Sequence, residues 1–450
     1  MMYFIALIIA IALGFLTLRL ITAGRLPFYL SLFLGAAIGF GVVGQIIFYL
    51  QLLGNNFNHF LPPLFSLTLL VVLRWLNRSF KIQLTAVPKS LLVLALLAIP
   101  SWLEANFFPL GGWDAWSCWN LKAKFIYLGE NNWKDMLIPE LWRSNTHYPL
   151  ALPTINVWFW HWTGINQSAP MYNSIILTLL TAGILLLGLQ ELKVSPWISA
   201  LVTLTVFTLA FGNILSISQY SDILFSLYLL STFVCYLLFQ NNKDGCLLIL
   251  MAIFIGLLSF TKTEGLVAAV ILALLMLIGL LSFPNVFIGN LGIAKTRSPT
   301  KAFGDDNSIW IFIITLLVTA LPTIIFFFAM SPHNAAFING LTSIDKPSTL
   351  ARLQYVLGFT FFELLRPQWN GLWILAILGL IVGRQKSFRK PLGFIGIFVV
   401  LYLAAVLSYY QINTFFEISW WMRYTLNRII FVLMPSIFLW MGLSLFRKDA

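Results

Sequence analysis

Apolar runs of about twenty residues recur along this chain, separated by short polar breaks. A run of that length makes a helix that can cross a bilayer. Lipid offers the backbone no hydrogen-bond partner, so helices that satisfy their own backbone are the natural spanning element. The pattern predicts about thirteen spans, at roughly 3–21, 27–52, 58–75, 90–107, 168–190, 196–217, 222–240, 246–260, 264–283, 308–330, 369–383, 391–410 and 428–446. One apolar run is shorter. Tyr148-Pro149-Leu150-Ala151-Leu152-Pro153 leads into Val157-Trp158-Phe159-Trp160-His161-Trp162. Two prolines break its start and its rings suit a headgroup depth, so it is read as an interfacial helix.

The longest polar segment runs from about Leu110 to Tyr148. It opens with Gly111-Gly112-Trp113-Asp114-Ala115-Trp116-Ser117-Cys118-Trp119-Asn120-Leu121-Lys122-Ala123-Lys124. Of the fifteen acidic residues, Asp114, Glu130, Asp135 and Glu140 lie inside it and Glu104 just before it. Composition agrees with a multi-pass membrane protein: 60% of the 450 residues are hydrophobic, 9% are charged, and mean hydropathy is +0.90. Soluble domains carry about 25% charged residues. The net charge of +12 does not point to nucleic acid, because the basic residues are scattered through short loops. They follow the bias of Lys and Arg toward cytoplasmic loops. On that rule 17 of the 27 basic residues face inward, at Arg19, Arg25, Arg74, Arg78, Lys81, Lys89, Lys193, Lys243, Lys295, Arg297, Lys301, Arg384, Lys386, Arg389, Lys390, Arg447 and Lys448. The N-terminus and the Trp-rich segment then lie outside. The first run lacks a small-residue cleavage site and reads as a retained span. Cys118, Cys235 and Cys246 imply no disulfide framework.

The ten remaining basic residues share the outer loops with acidic and aromatic residues, and there the candidate chemistry gathers. Asp114 falls in the first turn of a helix starting near Gly112, where the helix dipole favours a carboxylate. Ser117, Leu121 and Lys124 would share its face. Such a carboxylate can take a proton from an acceptor hydroxyl or act only as a first-turn charge. Asp222 opens another span behind Ser221 and could equally cap it. Lys262 and Glu264 sit between two spans with almost no loop, where charge is costly. Arg423 and Arg428 close the outer loop Glu417-Ile418-Ser419-Trp420-Trp421-Met422-Arg423-Tyr424 and can grip phosphate or anchor the chain at the interface. Arg352 and Arg366 are weaker candidates of that kind. His147, before Tyr148, can be a ligand, an acid–base group or an interfacial hydrogen-bonding side chain. His161 reads as interfacial, and His59 and His333 carry no signal. Zinc spacing is absent, while a divalent ion between carboxylates stays open. Nucleotide-binding loops and nucleophile elbows do not occur.

In this order the motifs resemble the GT-C superfamily of membrane glycosyltransferases. The nearest branch contains protein O-mannosyltransferase-like enzymes, aminoarabinose transferases and rhizobial galacturonosyltransferases. Trp113-Asp114-Ala115-Trp116 stands where that superfamily carries an essential Asp. His147-Tyr148-Pro149-Leu150 resembles its loop-closing element with one Pro fewer. Tyr220-Ser221-Asp222, Thr261-Lys262-Thr263-Glu264-Gly265 and Arg423-Tyr424 resemble its later motifs. The second acidic motif holds one Asp rather than a pair. The resemblance covers about 90–283.

It implies an all-α polytopic membrane protein in three parts. These are a three-helix extension over 1–89, a GT-C-like core over 90–283 with an outer loop at 108–166 carrying juxtamembrane helices, and C-terminal helices over 284–450. The implied reaction is inverting transfer of a sugar from a polyprenyl-phosphate donor to a glycan, lipid or protein acceptor, at the outer face of a bacterial inner membrane. Asp114 is its expected base, with Asp222 beside it. Lys262 and Arg423 meet the phosphate; Trp113, Trp116 and Trp119 stack on sugar; Lys124, His147, Tyr148, Glu264 and Tyr424 complete the substrate contacts. Membrane lipids are the other expected partner, and no cofactor beyond a divalent ion is implied. The readings from other classes are a transporter or lipid-linked sugar flippase, an O-antigen polymerase or ligase, and a non-catalytic scaffold.

Overall fold

The computed structural model describes residues 1–54, 60–78, 86–208, 217–282, 305–332, 346–413 and 416–448. His59, Lys81, Lys295, Arg297, Lys301, His333 and parts of the expected outer loops at 331–368 and 411–427 lie outside the described residues. Among those described, every regular element is helical. The long elements are α1 (Met2–Thr22), α2 (Phe28–Leu53), α3 (Leu61–Leu76), α4 (Leu92–Phe107), α5 (Asn120–Leu128), α6 (Ala151–Thr163), α7 (Ser168–Glu191), α8 (Pro196–Thr208) and α9 (Ser221–Asn242). They continue with α10 (Gly245–Ser259), α11 (Thr263–Ser282), α12 (Asp305–Ile325), α13 (Lys346–Leu364), α14 (Leu372–Val382), α15 (Gly393–Ile412), α16 (Ile418–Phe431) and α17 (Met434–Phe446).

Eight described segments are long and apolar enough to cross a membrane, carried by α1, α2, α4, α7, α9, α11, α12 and α15. The pair α16 and α17 adds a ninth if its 44° bend is one broken span. The chain is therefore a multi-pass integral membrane protein, with fewer full-length spans among the described residues than the thirteen expected. The expected span at 196–217 runs into 209–216, outside the described residues; the rest of the difference lies in α3, α10 and α14, which are apolar but only 16, 15 and 11 residues long. They rise about 17–24 Å, short of the roughly 30 Å of hydrocarbon. The expected span at 428–446 is also corrected, because it begins inside α16 and crosses the bend. Pro435 at the start of α17 explains the break: it lacks an N–H and crowds the carbonyl of Phe431.

The bundle is built around α9, whose apolar window is entirely buried. It packs against α2, α7, α10, α16 and α17. Among the described helix pairs, α1 and α2 share the most extensive contact. A Cβ on Gly14 would lie 1.9 Å from the Gly35 carbonyl oxygen, and one on Gly39 would lie 2.0 Å from that of Ala10. Small residues here let two backbones approach as in membrane helix pairs. The short helix α6 is buried along Ala151–Trp160 against α1, α2 and α5. Protein rather than headgroups therefore covers the rings of this helix that were expected at the interface. Its rings find protein partners, with Phe159 stacked 4.7 Å from Tyr3.

The two ends of α9 differ. At one end Arg25 meets Asp244 at 3.0 Å, Arg447 meets Asn241 at 3.1 Å, and Lys448 N–H donates to the Lys193 carbonyl at 3.4 Å. These are loops in which basic residues were expected to collect. The other end, about 33 Å away along 22 residues, carries Asp222.

Candidate functional site

Three separate stretches of chain deliver carboxylates to that second end, and two deliver cations. Asp114 follows a turn made by Gly111 at φ +70° and by the Gly112 N–H, which donates to the Ser218 carbonyl at 3.1 Å. A Cβ on Gly111 would lie 2.7 Å from the Ser218 carbonyl oxygen at a left-handed φ, so the turn needs a glycine there. Asp222 lies in the first turn of α9 and caps nothing; Tyr220 occupies the cap without a side-chain bond. Lys262 and Glu264 occupy the tight turn from α10 into α11. The Ser221 hydroxyl fastens that turn to α9 by donating to the Thr261 carbonyl at 3.0 Å. Arg428 comes from the inward face of α16.

Together these groups form a chain of alternating charge. Arg428 Nη1 lies 2.5 Å from Asp114 Oδ2. Its Nε and Nη2 both donate to Asp222 Oδ2, at 3.0 and 2.8 Å. Lys262 Nζ donates to Asp222 Oδ1 at 2.7 Å and stands 3.9 Å from Glu264 Oε1. The guanidinium also lies over the Tyr220 ring, 4.1 Å from its centroid. Such a planar cation suits both a carboxylate fork and an aromatic face. Three carboxylates against two cations leave the cluster at −1.

Position along the chain sets what each carboxylate can do. Asp222 is fully buried and both its oxygens are taken. It cannot approach a substrate and instead holds the two cations in place. The outer carboxylates keep access: the side chains of Asp114 and Glu264 are 20% and 22% exposed. Glu264 Oε2 is buried and has no partner among the described residues. Its Oε1 lies 3.4 Å from the Tyr148 hydroxyl. Burial and the nearby Glu264 carboxylate keep that phenol protonated far above its ordinary range. The Tyr148 ring stacks on Trp119 with centroids 5.5 Å apart.

Of the residues expected at the site, Asp114, Asp222, Tyr148, Lys262 and Glu264 are brought together. Arg423 and Tyr424 are not: both are exposed on α16. Arg428, five residues on, is about 140° further round the helix and faces the carboxylates. Lys124 is exposed, whereas Lys122 is fully buried and donates to the carbonyls of Asn145 and Tyr148 at 2.7 and 3.0 Å. The cause is a π turn at Ala115–Trp119. The extra residue it accommodates delays the helix by about 100°, which swings Lys122 onto the face that regular spacing gives to Leu121. Burial lowers the Lys122 pKa and raises that of Cys118 to about 11.

Trp113 and Trp116 are exposed with ring centroids 4.3 Å apart, free to meet a ligand. Trp119 is fully buried and closed to a sugar. His147 packs its ring 4.8 Å from that of Tyr148; burial and then the Lys122 charge lower its pKa to about 4. It is a neutral side chain at ordinary pH. Arg352 and Arg366 have local duties instead. Arg352 donates to the carbonyls of Tyr410 and Asn413, and Arg366 pairs with Glu363 at 2.9 Å.

One feature that sequence reasoning missed is a ladder of amides behind the site. Tyr3 donates to Asn173 at 2.9 Å, Asn173 to Asn156 at 2.9 Å, and Asn156 to Asn120 at 2.8 Å. Asn120 donates to Gln219 at 3.0 Å, and Gln219 to the Pro109 carbonyl at 2.9 Å. It ties α1, α7, α6 and α5 to the two turns that present Asp114 and Asp222. The signal available was amide side chains standing inside apolar helices. Compared with known protein families, characterised proteins and solved structures, the chain matches none.

Proposed function

We propose that the chain is a membrane glycosyltransferase that moves a sugar from a polyprenyl-phosphate donor to an acceptor hydroxyl at the outer face, with inversion. The observation that carries this reading is the meeting of a partly exposed carboxylate, Asp114, with a cation, Arg428, at one end of the helix bundle. A donor with a lipid tail enters from the bilayer and offers a phosphate to Arg428, which takes the role expected of Arg423. Asp114 removes the acceptor hydroxyl proton. The acceptor oxygen attacks the anomeric carbon from the far side. The bond to the phosphate oxygen breaks, and that oxygen leaves with the electron pair, stabilised by Arg428.

The pairing also gives an order to the steps. While Arg428 holds Asp114, the carboxylate oxygen Oδ2 is occupied. A donor phosphate that shares the guanidinium frees that oxygen to meet an acceptor hydroxyl only once the donor is bound. Glu264 and Tyr148 offer hydrogen bonds to sugar hydroxyls, and the exposed pair Trp113 and Trp116 offers a face on which a ring can rest. The transporter or flippase reading expects charges strung through the middle of the bilayer. Asp222 and Glu264 in the first turns of α9 and α11 favour the transferase.

The test is transfer of label from a panel of polyprenyl-phosphate sugars by purified protein, with Asp114→Asn as control. The expected result is transfer by the wild type and loss of about 100-fold or more in the variant. Full transfer by Asp114→Asn removes the base assignment, and no transfer from any donor removes the reaction.

A further inference from the structure

We infer that Arg428 holds the place of a divalent cation between Asp114 and Asp222, so that the site works without one and excludes one. The inference deepens the transferase reading but stands on the geometry of the cluster. Two carboxylates converging beside a phosphate-handling site are the usual setting for Mg²⁺ or Mn²⁺, which takes about six oxygen ligands at roughly 2.0–2.2 Å. Here three of the four carboxylate oxygens that would bind it are committed. Asp114 Oδ2 takes Nη1, Asp222 Oδ2 takes Nε and Nη2, and Asp222 Oδ1 takes Lys262. On one side the space between the carboxylates is closed by the Tyr220 ring, which lies 4.1 Å from the guanidinium carbon and offers a π face in place of oxygen lone pairs. The residues present therefore fit a planar, permanently charged guanidinium and do not fit a compact ion.

Charge leads to the same conclusion. Arg428 and Lys262 against Asp114, Asp222 and Glu264 leave −1. A divalent ion added to that set makes the site +1 and has to displace three charge-assisted hydrogen bonds to reach its ligands. With Arg428 gone the remaining charge is −2, which one divalent ion neutralises. The arginine thus masks a latent metal site.

The experiment is Mn²⁺ titration followed by electron paramagnetic resonance on purified protein without donor. It compares wild type, Arg428→Gly, Arg428→Lys and Arg428→Gly/Asp114→Asn. The expected result is no bound Mn²⁺ in the wild type or Arg428→Lys up to about 1 mM, the weak end of protein sites for divalent ions. Arg428→Gly should bind about one equivalent with at least 10-fold tighter affinity, lost again in the double variant. Stoichiometric Mn²⁺ on the wild type that disappears in Asp114→Asn overturns the inference. So does a folded Arg428→Gly that binds none. If Arg428→Gly does not fold, the wild-type and Arg428→Lys titrations still decide, because binding by either one overturns it. Label transfer in the presence of EDTA is scored separately. Absence of any transfer counts against the reaction and leaves the Mn²⁺ result standing, whereas transfer abolished by EDTA and restored by Mn²⁺ overturns the masking role alone.

Discussion

Replacing Asp222 with Asn tests whether the middle carboxylate holds the site together. Asp222 is fully buried and accepts from Lys262 at 2.7 Å and from Arg428 at 2.8 and 3.0 Å. Asn keeps the shape and removes the charge. Lys262, with 3% of its side chain exposed, then keeps only Glu264 at 3.9 Å. A buried ion deprived of its partner costs about 3–5 kcal/mol. Asp114 is different, with one charged contact and a side chain 20% exposed. Solvent screens that pair, so Asp114→Asn should cost about 1 kcal/mol. The assay is unfolding in mixed micelles titrated with SDS, read by tryptophan fluorescence. A second corner comes from Lys262→Met, which leaves Asp222 to Arg428 alone. In the Asp222→Asn/Lys262→Met double variant no lone charge remains at that position. Its loss should fall short of the sum of the singles by about 1–3 kcal/mol. Equal losses for Asp114→Asn and Asp222→Asn, or strict additivity in the cycle, would refute the reasoning.

Arg428→Ala should cut label transfer by about 100-fold or more, the scale of losing a stabiliser of developing charge. Arg423→Ala, on the exposed side of the same helix, should change transfer by no more than about threefold, and the reverse order would return the phosphate to Arg423. For His147 the folded pKa is about 4, against 6.5 when unfolded. The unfolded chain binds more protons between those values, so stability falls as pH drops through that window. His147→Gln should flatten the fall of the SDS midpoint there; an unchanged slope would show that His147 does not contribute. Asn156→Leu breaks the amide ladder in its middle and should cost about 1–3 kcal/mol through the orphaned Asn173 and Asn120 groups. A neutral Asn156→Leu would mean that the ladder is dispensable.

Helical architecture was legible because apolar runs near twenty residues admit little else, and the full-length described spans all fall on such runs. Span length was read less well. Hydropathy marks apolar stretches, but not where a helix stops, as α14 and the Pro435 break show. At the site, Asp114 and Asp222 could be found because each is a carboxylate at an expected helix start, and Lys262 because its charge stands between two spans with almost no loop. That Arg428 rather than Arg423 faces the carboxylates was hidden by the helix limits. Glu417 starts α16 by accepting the N–H groups of Ser419 and Trp420 at 3.0 and 2.8 Å, so Arg428 lies inside a helix rather than beside a loop. Lys122 was hidden by a π turn, which no apolar spacing announces. The amide ladder was hidden for another reason: its rungs are up to 170 residues apart, and a single sequence does not pair them.

Arg428 lies 314 residues after Asp114 and 206 after Asp222, and this separation bears on how the protein is made. A ribosome releases Asp222 and Lys262 into the membrane long before α16 exists. The two can pair at once, being 40 residues apart. Asp114 has no cation from this cluster until the helix bearing Arg428 arrives, 314 residues later. A chain stopped before α16 therefore carries three carboxylates against one cation at the bilayer edge. Quality-control proteases that recognise exposed charge within membrane segments would have a means to tell that chain from one that has reached α16.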